Sequence, residues 1–287
     1  GRFEQWVSEH GKTYNNYHEK QNRLDIFNER NKQYLSYVLG LKEFSDLSHE
    51  EFKNMSVGRI TPGPKNTSIR YTYPQVDENL PSSVDWRKQR AVTPVKMQGQ
   101  GCGDCWAFST VASVEAINKI VTGKLISLSE QQLDACVKEN HGCSAGTEGA
   151  GFNYIISNDG IATEADYPYT GGRGVCNKTL ERKHAVTING YINVPSRDEK
   201  SMKTFVAQQP VSADIDASGR DWSAYKSGIF SGKCGTRVNH GVTIIGYGSE
   251  HGMDYWIVKV SWGRKWGEGG CVEMWKIELD SVGLPYM

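Results

Sequence analysis

All seven cysteines of this 287-residue chain lie at or beyond residue 102, and the stretch before them has none. That segregation splits the chain into a cysteine-free leader and a cysteine-bearing body. The odd count lets six pair while one stays free to react, and several potential bridges imply an oxidising compartment. Residues 1–60 are charged, aromatic and helical in pattern; residues 81–287 hold every cysteine and seven of the eight tryptophans. Between them Thr61-Pro62-Gly63-Pro64-Lys65-Asn66-Thr67-Ser68 can sustain neither a helix nor an inner strand, so it reads as a linker. The length fits two domains of ordinary size. Lys+Arg and Asp+Glu balance at 33 each, which argues against a nucleic-acid binder with its concentrated basic face. No apolar run approaches the ~18 residues of a membrane span. The opening Gly1-Arg2-Phe3-Glu4 carries no secretory leader, which is expected to have been removed or to precede this sequence.

Local patterns place the elements. In the leader, Glu19 and Arg23 stand four apart in the favourable orientation, and Ile26 and Phe27 begin the apolar stripe of an amphipathic helix. Ser48 with Glu51 makes a capping box for a second. In the body, 104–123 reads as a helix. Trp106, Val111, Val114, Ile117, Ile120 and Val121 form its apolar face, Asp104 is its N-cap and Gly123 its C-cap. A shorter helix over 127–136 is capped by Ser129. Beyond about residue 185 strands are expected at 185–188, 211–215, 242–247 and 255–260. The reading is α+β, a helical half followed by a sheet-rich half, with a site in the cleft between them.

The segment Gly99–Thr110 (GQGCGDCWAFST) carries the most chemistry. Cys105 falls at a helix start, where unpaired N–H groups and the helix dipole favour thiolate; the Asp104 carboxylate works against it. Cys102-x-x-Cys105 also has dithiol spacing, but the preceding segment is loop-like rather than a strand. A zinc site would need a matching second pair, and Cys136 and Cys143 are seven apart with no well-spaced histidines. Two half-cystines without a reactive thiol is the remaining alternative.

The wider wording decides among these. Leu80-Pro81-Ser82-Ser83-Val84-Asp85-Trp86-Arg87, Val92-Thr93-Pro94-Val95-Lys96, Cys102-Gly103-Asp104-Cys105-Trp106-Ala107-Phe108-Ser109, Leu128-Ser129-Glu130-Gln131, Asn239-His240-Gly241-Val242, Gly246-Tyr247-Gly248 and Ser261-Trp262-Gly263 occur in order. From about residue 3 to about residue 275 the chain resembles the papain-like cysteine proteases, pro-segment included, in a plant-type wording. The resemblance implies a two-lobed fold, a helical lobe (about 91–185) and a β-barrel-like lobe (about 186–287), preceded by an inhibitory pro-segment (1–80, with its linker at about 61–80). It makes Cys105 the nucleophile, His240 the general base and acid, Gln98 a donor to the developing oxyanion, and Trp262 a shield for the pair. No cofactor or metal is implied.

Departures from that family are expected to matter. Its orienting Asn is replaced by Val260, which cannot accept the imidazole N–H, so weakened chemistry follows. Gln98 lies seven residues before Cys105 where the family has six, and Gly101 looks like the insertion; Gln100, five before, fits no better. Substrate-binding positions fall on Gly146, Thr147, Glu148, Asp214, Val238, Asn239 and Gly241. Glu148 and Asp214 stand where the family's second subsite is apolar, so a preference for Lys or Arg just before the residue at the cleaved bond is expected. The family's bridges carry over as Cys102–Cys143 and Cys136–Cys176. Cys234 matches a third pair whose usual partner is missing, leaving Cys271 as its candidate. In the pro-segment, Glu19, Arg23 and Phe27 match one family motif, with Arg30 for an Asn. Gly40, Phe44 and Asp46 match another, with Lys42 for an Asn. By resemblance the segment threads the cleft in reverse and blocks it. Asn54, Asn66 and Asn177 head glycosylation sequons. The expectation is therefore a monomeric, secreted or vacuolar/lysosomal endopeptidase zymogen. It would act on peptides and proteins, be restrained by its own pro-segment and by cystatin-like inhibitors, and bind neither nucleic acid nor membrane. The alternatives are a catalytically impaired peptide-binding homologue and a storage or inhibitor-type protein.

Overall fold

The structure is a computed structural model that describes residues 2–9, 13–33, 36–40, 44, 47–56, 79–99, 101–172, 174–195, 198–275 and 280–287. The linker segment, Asn66, Lys42, Asp46 and Gln100 lie outside the described residues, as do the side chains of Ile26, Phe27 and Arg30. In the leader, α1 spans Arg2–Glu9, α2 Tyr17–Gln33, β1 Tyr37–Leu39 and α3 His49–Ser56. Glu19 serves the start of α2: it accepts from the Asn15 N–H at 2.8 Å, and its own N–H donates to Asn16 Oδ1 at 2.8 Å. The expected capping box at α3 is formed, with Ser48 N–H to Glu51 Oε2 at 2.8 Å and Glu51 N–H to Ser48 Oγ at 3.3 Å.

The body continues with β2 (Val84–Asp85), α4 (Cys105–Thr122), α5 (Glu130–Cys136), α6 (Glu148–Ser157), β3 (Gly190–Ile192), α7 (Glu199–Gln208), β4 (Val211–Ile215) and α8 (Arg220–Ser223). β5 (Tyr225–Phe230), β6 (His240–Glu250), β7 (Met253–Lys259), β8 (Cys271–Met274) and β9 (Asp280–Tyr286) complete it. α4 is buried nearly all round over its first four turns, so its apolar stripe is wider than the sequence implied. It can be, because its buried hydroxyls are satisfied: Ser109 donates to the Val242 carbonyl and Thr110 to the Trp106 carbonyl. Its end emerges into solvent, leaving the expected core residues Ile120 and Val121 38% and 58% exposed. Gly123, at φ +76°, closes it through its N–H to the Lys119 carbonyl.

The strand expected at 185–188 is reduced to one bridge, Ile161 with Val186, because Val186 and Ile188 are spent in the helical core. The helix α7 went unread within the sheet-rich half; Asp198 caps it, and Met202, Phe205 and Val206 are buried. The strands form one sheet in the order β1-β5-β8-β7-β6-β4-β9-β3, with β2 added on β6. The expectation of a barrel-like lobe is corrected on one point: β1 and β3 end the sheet, which does not close.

Two apolar clusters hold the body. One, around Trp106, Val111, Val114, Leu133, Phe152 and Ile155, joins the helices α4, α5 and α6. The other, around Trp222, Tyr225, Val258, Trp262 and Trp266, lies on the sheet and takes in Tyr37, Phe44 and Phe52 from the leader. Each large side chain so buried contributes about 1.5–3 kcal/mol. The leader also enters the sheet directly, with Tyr37 opposite Gly228 and Val38 opposite Ser227. Gly228 sits at φ +86°, and a Cβ there would fall 2.5 Å from the Ser36 carbonyl oxygen, so only glycine admits this strand.

Candidate active site

Cys105 is the first residue of α4 and His240 the first of β6, so both side chains stand at element ends along one seam. The sulfur is 1% exposed, and the Gly241 N–H donates to it at 3.2 Å. The His240 ring is fully buried and lies against the Trp262 indole, with centroids 4.5 Å apart and planes 28° from parallel. Neither ring nitrogen has a hydrogen-bond partner among the described residues. Val260 is buried, 3% exposed, and its side chain carries no acceptor.

In this buried state the electrostatics oppose the expected thiolate. Burial pushes the Cys105 thiol well above its ordinary range, and the carboxyls of Glu148, Asp214 and Asp104 push it further; the Gly241 N–H opposes them only in part. Burial drives His240 down to about 3. Thiol and imidazole are therefore both neutral in this buried state. The helix terminus alone does not ionise a sulfur this deeply desolvated.

Gln98 is buried and firmly tied. Its side-chain nitrogen donates to the Cys102 carbonyl at 2.8 Å, and its oxygen accepts from Ser261 Oγ at 2.5 Å. One amide hydrogen is left over. The extra residue is absorbed as a tight turn: the Cys102 N–H reaches the Gly99 carbonyl at 3.0 Å, with Gly101 at φ +78°. Gln98 keeps its place beside the start of α4 despite the insertion.

Asp104 is the N-cap residue of α4, as read from the sequence, but its side chain makes no capping hydrogen bond. It turns instead to Tyr169, whose hydroxyl donates to Asp104 Oδ2 at 2.6 Å and accepts the Gly99 N–H at 2.9 Å. Burial, with the nearby Asp134 carboxyl adding to it, raises Asp104 to about 7. Sequence reasoning missed Tyr169. It lies 65 residues from its partner, beyond any local pattern.

Of the candidate binding positions, Glu148 and Asp214 are brought together, both buried. Thr147 caps α6 through Oγ1 to the Ala150 N–H at 3.2 Å, and its backbone is clamped by Asn140. Gly146 is pressed on the Trp106 indole, where a Cβ would lie 2.4 Å from the ring nitrogen. Val238 is half-buried. Asn239 is committed to the Asp216 carboxylate and the Ala217 N–H.

Two disulfides are present, Cys102–Cys143 and Cys136–Cys176. The third, suggested for Cys234 with Cys271, is not formed. Cys234 stays on an exposed loop, while Cys271 is buried on β8 against Ile245 and Ile257. The bridge at Cys102 also removes the dithiol alternative. Among the described residues the groups with metal-ligand geometry use sulfurs already held in these bridges. Asn54 and Asn177 are exposed. No helix among the described residues is long and apolar enough to cross a membrane.

The leader packs against the indole that His240 stacks on. Phe44 and Phe52 meet each other at 5.3 Å and abut the Trp262 indole edge-on at 5.5 and 5.4 Å, and that indole rests on His240. A buried sulfur, a buried imidazole and an N-terminal segment packed on the indole against that imidazole have the form of a thiol protease kept behind its own leader. Residues 80–284 match the papain family of cysteine proteases and residues 3–52 the cathepsin propeptide inhibitor domain, I29. The chain is 48% identical over 295 residues to "Probable cysteine protease RDL4" of Arabidopsis thaliana, covering 98% of this chain and 80% of that one. It is 49% identical over 284 residues to "Cysteine protease XCP2" of the same plant, covering 95% and 79%. Among solved structures it resembles a recombinant stem bromelain precursor, with TM-score 0.79 and 39% identity over 100% of this chain and 98% of that one. The proform of the ragweed pollen allergen Amb a 11, a cysteine protease, has TM-score 0.80 and 36% identity over 99% and 93%. The chain belongs to the papain family of cysteine proteases and carries that family's propeptide as an intramolecular inhibitor.

Proposed function

We propose that this chain is an endopeptidase zymogen with its pro-segment at 1–80 and its mature two-lobed enzyme at 81–287. Cys105 attacks the scissile carbonyl, His240 takes the thiol proton and passes it to the departing amine, and water then releases the acyl group from sulfur. The observation that carries this reading is the 3.2 Å hydrogen bond from Gly241 to the Cys105 sulfur, which ties the residue beside His240 to the nucleophile. The developing oxyanion has two donors at hand: the Cys105 N–H, in the first turn of α4, and the spare amide hydrogen of Gln98. Withdrawal of the leader admits water, which lowers the thiol and raises the imidazole toward an ion pair. Substrates are peptides and proteins, taken as a monomer without a cofactor in a secreted or vacuolar/lysosomal setting, where cystatin-like inhibitors would compete for the cleft.

Val260 supports slower turnover, since His240 has no group to fix its tautomer. General acid–base catalysis contributes ~10²–10⁴-fold, and part of that is forfeited. The unpartnered ring favours a second reading, a peptide-binding homologue that turns substrate over poorly. Acid-treated protein challenged with a thiol-directed peptidyl epoxide, beside a peptide-turnover assay, separates the cases. Labelling with turnover supports the peptidase and labelling without turnover the impaired homologue. No labelling at any pH would point to a storage or inhibitor-type protein.

A further inference from the structure

Ser109 has no task in the reaction above, yet its hydroxyl leaves its own helix. The other hydroxyls of α4 bond locally. Thr110 donates to the Trp106 carbonyl, Ser113 to the Thr110 carbonyl and Thr122 to the Asn118 carbonyl, each three or four positions back. That is the ordinary solution for a helical Ser or Thr. Ser109 instead donates at 2.7 Å to the Val242 carbonyl of β6, 133 residues away. Its own carbonyl is approached from β4 by Ser212 Oγ at 3.0 Å, an oxygen equally 3.0 Å from Ser113 Oγ. Ser212 is in turn in register with Thr243 of β6, so β4 backs the joint. Ser109, Ser212 and Val242 are all buried, and water does not compete for these bonds.

Ser109 lies one turn after Cys105, and Val242 lies two residues after His240. The leading ends of the same two elements are already joined, because the Gly241 N–H reaches the Cys105 sulfur at 3.2 Å. That bond by itself would leave α4 and β6 free to pivot about it. A second bond, about 6 Å further along the helix and about 3.3 Å further along the strand, removes the pivot. The two bonds also differ in what the chemistry does to them. The sulfur becomes thiolate and then thioester, so the bond from Gly241 changes at each step. The bond from Ser109 touches no reacting atom and persists throughout.

The imidazole needs such a support. Its ring nitrogens have no partner among the described residues, so its place comes from the Trp262 indole and from the strand that bears it. We propose that Ser109 is a positioning residue: its hydroxyl, held on the Val242 carbonyl, sets the angle and separation of α4 and β6, and with them the distance over which Cys105 hands its proton to His240. The inference rests on Cys105 and His240 as the reacting pair.

The test measures peptide turnover and the thermal midpoint of the acid-processed protein for Ser109→Ala beside Thr110→Val. Thr110→Val deletes the neighbouring hydroxyl, whose bond stays inside the helix. It therefore reads the cost of a lost buried hydrogen bond on α4 with the joint to β6 intact. Both variants should lower the midpoint. Only Ser109→Ala should lower kcat, about tenfold or more with KM little changed, since a misplacement of ~1 Å can cost 10²-fold. Ser212→Ala, which removes the support from β4, should lower kcat in the same sense by less, and it decides the matter where Ser109→Ala does not fold. A wild-type kcat in the folded Ser109→Ala, or an equal loss of kcat in Thr110→Val, would overturn the inference and leave Cys105 as nucleophile intact. Where Ser212→Ala alone folds, a wild-type kcat there does the same. A wild type inert to the peptidyl epoxide would instead remove the reacting pair, and the positioning role would fall with it.

Discussion

Phe44 of the leader meets Trp262 of the body edge to face, with 5.5 Å between ring centroids. Since Trp262 also stacks on His240, the leader and that imidazole both pack on one indole. Removing the Phe44 ring costs about 3–5 kcal/mol of packing, much of it at the contact between leader and body. Phe44→Ala should therefore shed the leader at higher pH and faster than the wild type, as followed by electrophoresis beside peptide turnover. Tyr37→Phe, which deletes the hydrogen bond to Asp221 at 2.9 Å, should shift activation in the same direction by less, about 1 kcal/mol. Unchanged time courses in both would show that these contacts do not hold the leader.

On the proposed mechanism, Val260→Asn would offer the imidazole an acceptor where the described residues supply none. A partner for the ring N–H favours imidazolium, so the histidine should titrate higher than its buried, neutral form does. The expected outcome is a kcat/KM about 10–100-fold above wild type, with the acidic limb of the pH–rate profile displaced. If neither parameter moves, position 260 takes no part in turnover.

How much of this could be read from the chain depended on how local each cause was. The caps at Ser48, Ser129 and Gly123, the strands through Ala213, Ile244 and Ile257, and the placing of Cys105 at a helix start depend on residues a few positions apart. So does the choice between Cys102 and Cys105, once the motif around them is read. Long-range causes stayed hidden. The state of the sulfur is set by Glu148 and Asp214, brought in by α6 and β4, and by burial that no window of sequence records. The lost strand at 185–188 and the unread α7 fail likewise: local pattern gave β-branched residues in one and a short amphipathic run in the other, and tertiary packing decided both.

The groups beside the sulfur also make stability depend on pH, in a direction that can be worked out. Asp104 and Glu148 titrate higher in the folded chain than unfolded, near 7 and 8. The folded state holds their protons after the unfolded state has released them, so their contribution is full in acid and is lost as pH rises through those values. His240 acts oppositely. Depressed from 6.5 to about 3, it contributes above its ordinary value and loses that contribution as pH falls. Between about pH 7 and 8 the histidine is largely neutral in both states and the raised carboxyls, Glu130 among them, dominate. The thermal midpoint should fall across that interval, and Glu148→Gln should flatten the fall. A midpoint that rises there would contradict the placement of both acids.

The bridge pattern can be counted by mass. With four of seven cysteines in disulfides, alkylation of the denatured, unreduced protein should add three adducts, at Cys105, Cys234 and Cys271. One adduct would mean that Cys234 and Cys271 pair after all. Severing Cys136–Cys176, which closes a loop of 40 residues, should cost about 2–5 kcal/mol of stability.

The last prediction concerns the carboxyl next to the sulfur in sequence. Asp104 raises the thiol and is held by Tyr169, which also takes the Gly99 N–H, so one hydroxyl joins the loop bearing Gln98 to the start of α4. Asp104→Asn keeps an acceptor for that hydroxyl and deletes the charge. The thiol should ionise more readily, and the pH dependence of iodoacetamide alkylation at Cys105 should move to lower pH. Tyr169→Phe leaves both partners unmatched at about 1–3 kcal/mol and loosens the loop. Its expected signature is a kcat about tenfold lower with KM little changed, as for a donor lost only in the transition state. On the proposed mechanism the two variants act on different steps, Asp104 on ionisation of the thiol and Tyr169 on the oxyanion donors. Were Asp104→Asn to leave the alkylation profile where it stands, the carboxyl would have no electrostatic hold on the sulfur. The raised thiol would then follow from burial and the Glu148–Asp214 pair alone.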